Sequence, residues 1–240
     1  MQDKQREKIF FDCLGDKETY NVFTNVTNQY LIRKFIEISK VTKDQLTAEL
    51  GCGSGIFSNL LKDGGYQIVS LDISHGIMKI GKKNHRELDF IQGDAEQLPF
   101  RANSLDVFFL TGMVHHFPDP TSLAKEVFRV LRPRGRFVAF DPNRRNPFMY
   151  LYRVKSSPFY SSKGVTENEQ PILAREVSSV FSNAGFAVDI HYISGIKYRF
   201  VASRFLKLML PIYNLLNSIL FLPKFMGSYR AFILTSGVKQ

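Results

Sequence analysis

The chain has 240 residues, of which 44% are hydrophobic and 22% charged, with two cysteines and a formal net charge of +10. That length and balance fit one α/β-sized domain with a sizeable core, and they exclude a disordered chain, a fibrous repeat and a disulfide scaffold. Cys13 and Cys52 lack the paired spacing of a zinc cage, and the charged N-terminus is not followed by the roughly 7–15 apolar residues of a secretory signal, so the expected compartment is the reducing cytoplasm.

Residues 1–45 are expected to form a helical cover, because Leu31, Phe35 and Ile38 recur at helical spacing over 28–41. Short apolar runs then alternate with helical stretches: strands are expected at 46–50, 68–72, 88–92, 105–110 and 136–140, with helices at 55–62, 74–84 and 121–131 between them. Such continuous apolar runs suit parallel strands buried on both faces. Ser74 and Thr121 are placed to cap their helices, and Pro133 stops the last one. Residues 143–172 break the rhythm with Pro147, Pro158 and Gly164, and read as a lid or substrate segment in which Asn146 and Pro147 start a short helix. A helix at 173–184, a sixth strand at 186–193 and a seventh at 232–235 follow.

Between those last strands lies an apolar helical insertion, 203–227, whose segment 205–222 carries one charge, Lys207. There Lys207, Pro211, Asn214 and Ser218 fall on one narrow helical stripe, and Pro211 is expected to kink the helix or start a second one. A fold that must return a strand to the same sheet argues against a membrane span. The segment is expected to pack on the sheet, to close an apolar acceptor pocket, or to lie on an anionic membrane surface with the help of Arg204, Lys207 and Lys224. After Asp189 there is no acidic residue but seven Lys and Arg, an asymmetry that sets the C-terminal fifth apart.

The chemistry concentrates at strand ends. Glu49-Leu50-Gly51-Cys52-Gly53-Ser54-Gly55 closes one strand and opens a helix, where glycines let the backbone turn tightly against a ligand and free N–H groups point at it. The dinucleotide fingerprint needs its third glycine where Ile56 stands, which disfavours a nicotinamide dehydrogenase. Asp72 ends the second strand roughly 20 residues on, the position of a ribose-binding carboxylate. Gly93-Asp94-Ala95-Glu96-Gln97-Leu98-Pro99-Phe100 follows the third strand, and its Asp94 and the Ala95 N–H can meet an adenine edge.

In this ordered set the chain resembles the class I S-adenosylmethionine-dependent methyltransferases, in particular their type 11 small-molecule group, over residues 46 to about 142. Asp72-Ile73-Ser74, the run from Leu105 to Phe117 with its His115-His116-Phe117 ending, and Glu126-Val127-Phe128-Arg129-Val130-Leu131-Arg132-Pro133-Arg134-Gly135 complete the match, with Arg134 where the family has a second glycine. The resemblance implies one α/β domain over 1–240: a Rossmann-like, doubly wound, seven-stranded sheet of order 3-2-1-4-5-7-6 with strand 7 antiparallel, helical lid insertions and a cofactor-binding core at 46–142. It also implies that Gly51, Cys52 and Gly53 pass under the methionine part of S-adenosylmethionine and Glu49 holds its amino group. Asp72 would bind the ribose, Ile73 would pack on the adenine, Asp94 and Ala95 would fix its edge, and Thr111 would stand near the sulfonium.

His115 and His116 end the fourth strand, where acceptor and cofactor should meet. His116 is the candidate general base, while His115, Asp141 and Asn143 are candidate substrate contacts or pocket-shaping groups. No metal is expected, since no carboxylate or His lies at helical spacing from the adjacent histidines with strand or helix support, and there is no Cys pair. Nucleic acid is disfavoured, because Thr111-Gly112-Met113-Val114 stands where base methyltransferases of this fold carry an acidic or amide residue and two prolines. The expected function is methyl transfer to a small-molecule or lipid-like acceptor. The alternatives are a catalytically silent, cofactor-binding regulatory module and, less favoured, an RNA methyltransferase.

Overall fold

The computed structural model describes residues 3–15, 21–200, 204–221 and 223–240. Residues 1, 2 and 16–20 of the expected cover and 203 and 222 of the apolar insertion lie outside them, as do the side chains of Arg204, Phe205 and Leu206. One seven-stranded sheet contains β1 (Leu46–Leu50), β2 (Gln67–Asp72), β3 (Asp89–Gln92), β4 (Leu105–Thr111), β5 (Leu131–Pro142), β6 (Phe186–Ile193) and β7 (Phe232–Lys239). Its order is β3-β2-β1-β4-β5-β7-β6, as expected. Strands β1 to β5 pair in parallel, and β7 runs antiparallel between β5 and β6.

Two apolar cores sandwich the sheet. On one face Leu123, Ala124 and Val127 of α5 (Thr121–Val130) and Val177 and Phe181 of α7 (Ala174–Asn183) meet Phe108 and Phe137. On the other, Leu31 and Phe35 of α2 (Asn25–Ser39) and Leu61 of α3 (Ile56–Asp63) cover Phe109, Val138 and Phe140, with Phe35 stacked on Phe109 at 5.7 Å between ring centroids. This two-sided burial is why the strands read as unbroken apolar runs. The remaining helices are α1 (Lys4–Gly15), α4 (His75–Asn84), α6 (Pro147–Arg153) and α8 (Arg204–Ile219).

Local chemistry sets most helix ends. Ser74 Oγ accepts the Ile77 N–H to cap α4, and Asn146 Oδ1 accepts that of Met149 to cap α6 with Pro147 in its first turn. Thr121 does not cap α5: Asp119 Oδ1 accepts both its N–H, at 3.0 Å, and its hydroxyl, at 2.6 Å, because a carboxylate two residues upstream is the better acceptor. Helix α2 begins three residues earlier than its apolar spacing indicates, at the Thr24 cap. The chain also pairs beyond the expected ends of β5 and β7, since β7 has a backbone partner on each side through Val238. Within β5, Arg134 takes φ 64, the left-handed conformation that suits the glycine found there in the resembling family. Pro211 does not start a new helix; it sits inside one continuous helix, at an exposed position.

Candidate active site

The C-terminal ends of β1, β2, β3 and β4 open onto one cavity of about 470 Å³, the place where a doubly wound sheet binds ligands. Gly51 turns at φ 71, and a Cβ there would stand 2.9 Å from Met113 Cβ, so the turn and its close approach both require glycine. The Gly51 and Cys52 N–H groups donate to the Leu71 carbonyl, while Gly53 N–H donates to Asp72 Oδ2 at 2.8 Å. Asp72 Oδ1 accepts the Ser74 N–H at 2.9 Å. Burial pushes the Asp72 carboxyl above its ordinary range, and the Ser74 and Gly53 N–H bonds pull it partly back. Burial likewise pushes the Cys52 thiol well up, which removes nucleophilic character from it.

Of the expected site residues, Gly51, Cys52, Gly53, Asp72, Ile73, Asp94, Ala95, Thr111, His115 and His116 line this cavity. Glu49, Asp141 and Asn143 do not. Glu49 is fully buried behind the wall, where its Oε1 accepts the Thr111 hydroxyl at 2.6 Å and its Oε2 accepts that of Ser58. Asp141, also fully buried, accepts both the backbone N–H of His115, at 3.0 Å, and its Nδ1, at 2.8 Å, so it orients that ring instead of meeting a substrate. Asn143 donates to the Ser228 and Arg230 carbonyls and accepts from Arg145 N–H, which ties β5 to the turn before β7.

Burial raises the Glu49 carboxyl from 4.5 to about 7 against the hydrogen bonds of Ser58 and Thr111. A raised folded value means the native state holds this proton more tightly than the unfolded chain, so stability is greatest below 4.5 and declines as pH rises toward about 7. The shift corresponds to about 3 kcal/mol in the ligand-free protein. Glu49→Gln is expected to flatten that decline, measured as denaturant midpoints at about pH 5 and about pH 8.

The cavity roof comes from residues that carried no motif. Helix α1 contributes Glu7, Phe10, Phe11 and Leu14, whose spacing of three and four was the available signal. Asp12 fastens it by accepting from Ser74 Oγ and Gly76 N–H, at 2.6 and 2.7 Å, and a Cβ at Gly76 would strike the Asp12 backbone at 2.9 Å. Lys4 bridges Asp94 and Glu96 at 2.6 Å each. His116 Nδ1 lies 3.2 Å from both Glu7 Oε2 and Thr166 Oγ1. Burial lowers the His116 value, yet Glu7 and Glu169 outweigh it and hold the imidazole above its ordinary range; the same pairing outweighs burial at Glu7 and lowers that carboxyl. Glu169, distant in the chain, brings a carboxylate within 4.8 Å of ring nitrogens of His115 and His116, a donor set able to hold a cation that chain spacing did not reveal. Around them Phe11, Phe23, Phe140, Met149, Tyr198 and Phe232 make the rest of the wall mainly apolar. Phe23 is brought in by a bridge to Tyr198, beside the Arg199 N–H bond to the Val22 carbonyl at 2.9 Å.

Residues 48–139 match the family described as methyltransferase domain. A demethylmenaquinone methyltransferase of Paenarthrobacter aurescens is 32% identical over 147 residues, covering 60% of this chain and 56% of that protein. The chain thus spans little more than half the length of that relative. Among solved structures, a possible histamine N-methyltransferase of Thermotoga maritima superposes with a TM-score of 0.64 at 17% identity, covering 97% of this chain and 99% of the other. The [4+2]-cyclase SpnF reaches 0.69 at 16% identity, with 98% and 96% covered.

Proposed function

We propose that this chain, whose residues 48–139 match the methyltransferase-domain family, is a class I, S-adenosylmethionine-dependent enzyme that moves the cofactor's methyl group onto a small, lipid-like acceptor of the quinol type. The observation that carries this reading is that a single cavity joins the glycine turn and Asp72 to a mainly apolar wall, with His115 and His116 on the same surface. The name of the relative, a demethylmenaquinone methyltransferase, supports the quinol class.

The residues fit the cofactor. At Gly53 a Cβ would meet only Ile77, at 3.6 Å, so the turn leaves open space above its backbone. Acidic acceptors suit a ligand rich in hydroxyl, amine and sulfonium groups. In this reading Gly51, Cys52 and Gly53 underlie the methionine part, and Asp72, already locked by two N–H bonds, uses its remaining lone pairs on the ribose hydroxyls. Ile73 packs on the adenine, while Asp94 and Ala95 hold its edge. Lys4, bound to Asp94 Oδ2, shares that carboxylate with it. Thr111 stands at the methionine end, and Glu49 acts through it as a positioning residue.

When bound, the cofactor supplies a methyl group already activated by its sulfonium. The chain's own task is then alignment and removal of water, which supply most of the rate in such a displacement. Asp141 fixes the His115 ring, and His116, held by Glu7 and Thr166, takes the proton that the acceptor gives up.

The test is incubation of the protein with S-adenosylmethionine and a reduced, short-chain demethylated naphthoquinol. Release of S-adenosylhomocysteine together with a methylated quinol is expected; cofactor binding without release across a panel of apolar quinols and phenols would overturn the reading. That second outcome identifies a cofactor-binding module without methyl transfer, an alternative favoured by one observation: a protein called a [4+2]-cyclase shares the fold.

A further inference from the structure

Helix α8 is built inside out. Leu210 and Asn217 are buried, Tyr213 and Asn214 half-buried, and Phe221 follows one turn on; together they form the single stripe that faces the protein. Asn214 clamps the helix by accepting the Tyr198 N–H and donating to the Tyr198 carbonyl, at 3.0 Å each, and Ser218 Oγ donates to the Asn214 carbonyl. The amides therefore face inward while aliphatic side chains face out: Leu208 is 78% exposed, Ile212 51%, Leu215 59% and Ile219 55%, followed by Phe225 at 82%. Of the fifteen large apolar side chains exposed among the described residues, eight fall between Leu208 and Phe225. Such clustering, unlike scattered exposure, marks an interaction surface.

The alternatives read from the sequence do not match this arrangement. The described side chains of the helix do not bury an apolar face on the sheet, and no described residue from 204 to 225 lines the cavity. No helix among the described residues is long and apolar enough to cross a membrane. Charge selects among the remaining occupants. Lys207 and Lys224 are exposed at the two ends of the patch, and no acidic residue follows Asp189. A second copy packed on the same face would set like charges against each other, whereas anionic headgroups complement them.

We propose that the outer face of α8, continued through Phe225, is a docking surface for an anionic lipid bilayer on which the helix lies flat. The docking stands without the methyl-transfer reading. What rests on that reading is its use: Tyr198, gripped by Asn214, is part of the acceptor cavity wall, so docking sets the cavity beside the phase that dissolves a lipid-like acceptor.

The experiment is co-sedimentation of the full chain with vesicles of pure phosphatidylcholine or of equimolar phosphatidylcholine and phosphatidylglycerol, at low and high salt. Partitioning onto the anionic vesicles is expected to exceed that onto neutral ones by about tenfold or more at low salt, and to weaken with salt. Replacing Leu208, Ile212, Leu215 and Ile219 together by Ser is expected to leave the protein in the supernatant, with its circular-dichroism spectrum and unfolding midpoint retained because the inward stripe is untouched. Lys207→Glu with Lys224→Glu should remove the preference for anionic vesicles. The proposal is overturned if the parent stays in the supernatant, or if the serine variant partitions as strongly as the parent. It is equally overturned if sedimentation velocity shows a concentration-dependent dimer that the serine substitutions abolish, since the face then belongs to a second copy.

Discussion

His116→Gln is expected to lower turnover on the proposed quinol acceptor about 100-fold or more while leaving cofactor affinity nearly unchanged, as loss of a general base does. Glutamine is the informative replacement because its amide can still donate to Glu7, whose carboxylate is almost fully buried and would otherwise lose its imidazole partner. The pH dependence gives a second readout. A base works in its neutral form, and Glu7 and Glu169 outweigh burial to hold the His116 proton above the ordinary imidazole range. Activity is therefore expected to rise with pH through that elevated value. Glu7→Gln removes a carboxylate that favours the imidazolium, so the rising limb should move to lower pH. An acceptor KM that changes with kcat intact, and a pH profile that ignores Glu7, would reduce His116 to a wall residue.

Asp72→Ala is expected to weaken binding of S-adenosylmethionine by about 1.5–3 kcal/mol, from loss of a charge-assisted acceptor. The carboxylate has two duties here: it holds the Gly53 and Ser74 N–H groups, and it presents its remaining lone pairs to the cavity. Asp72→Asn separates them, since an amide oxygen can keep one N–H bond while the charge is lost. Its affinity should fall between that of the parent and that of Asp72→Ala. Calorimetry that finds the alanine variant unchanged overturns the ribose assignment.

Much of the architecture was legible because it is written in local or periodic chemistry. The glycines from Gly51 to Gly55 specify a left-handed turn, Ser74 and Asn146 mark helix starts, and runs such as Leu105 to Leu110 report two-sided burial. Their order along the chain places Asp72 and Asp94 after successive strands, and both line the one cavity at the strand ends.

The surroundings of His115 and His116 were decided by contacts between residues far apart in sequence. Asp141 and Asn143 have the composition of substrate contacts, but their partners prove to be His115 and the carbonyls of Ser228 and Arg230. Glu7, Thr166 and Glu169 reach His116 from two segments without any motif, and Glu49 meets the cavity only through Thr111. Helix α8 shows the same division. The sequence groups Lys207, Pro211, Asn214 and Ser218 on one stripe, but the stripe that is buried runs through Leu210, Asn214 and Asn217, held by the grip of Asn214 on Tyr198, and it leaves Lys207 and Pro211 exposed. A period defines the faces of a helix; which face is buried depends on what the rest of the fold presents to it, and a buried polar group can be assigned a role only once its hydrogen-bond partner is known.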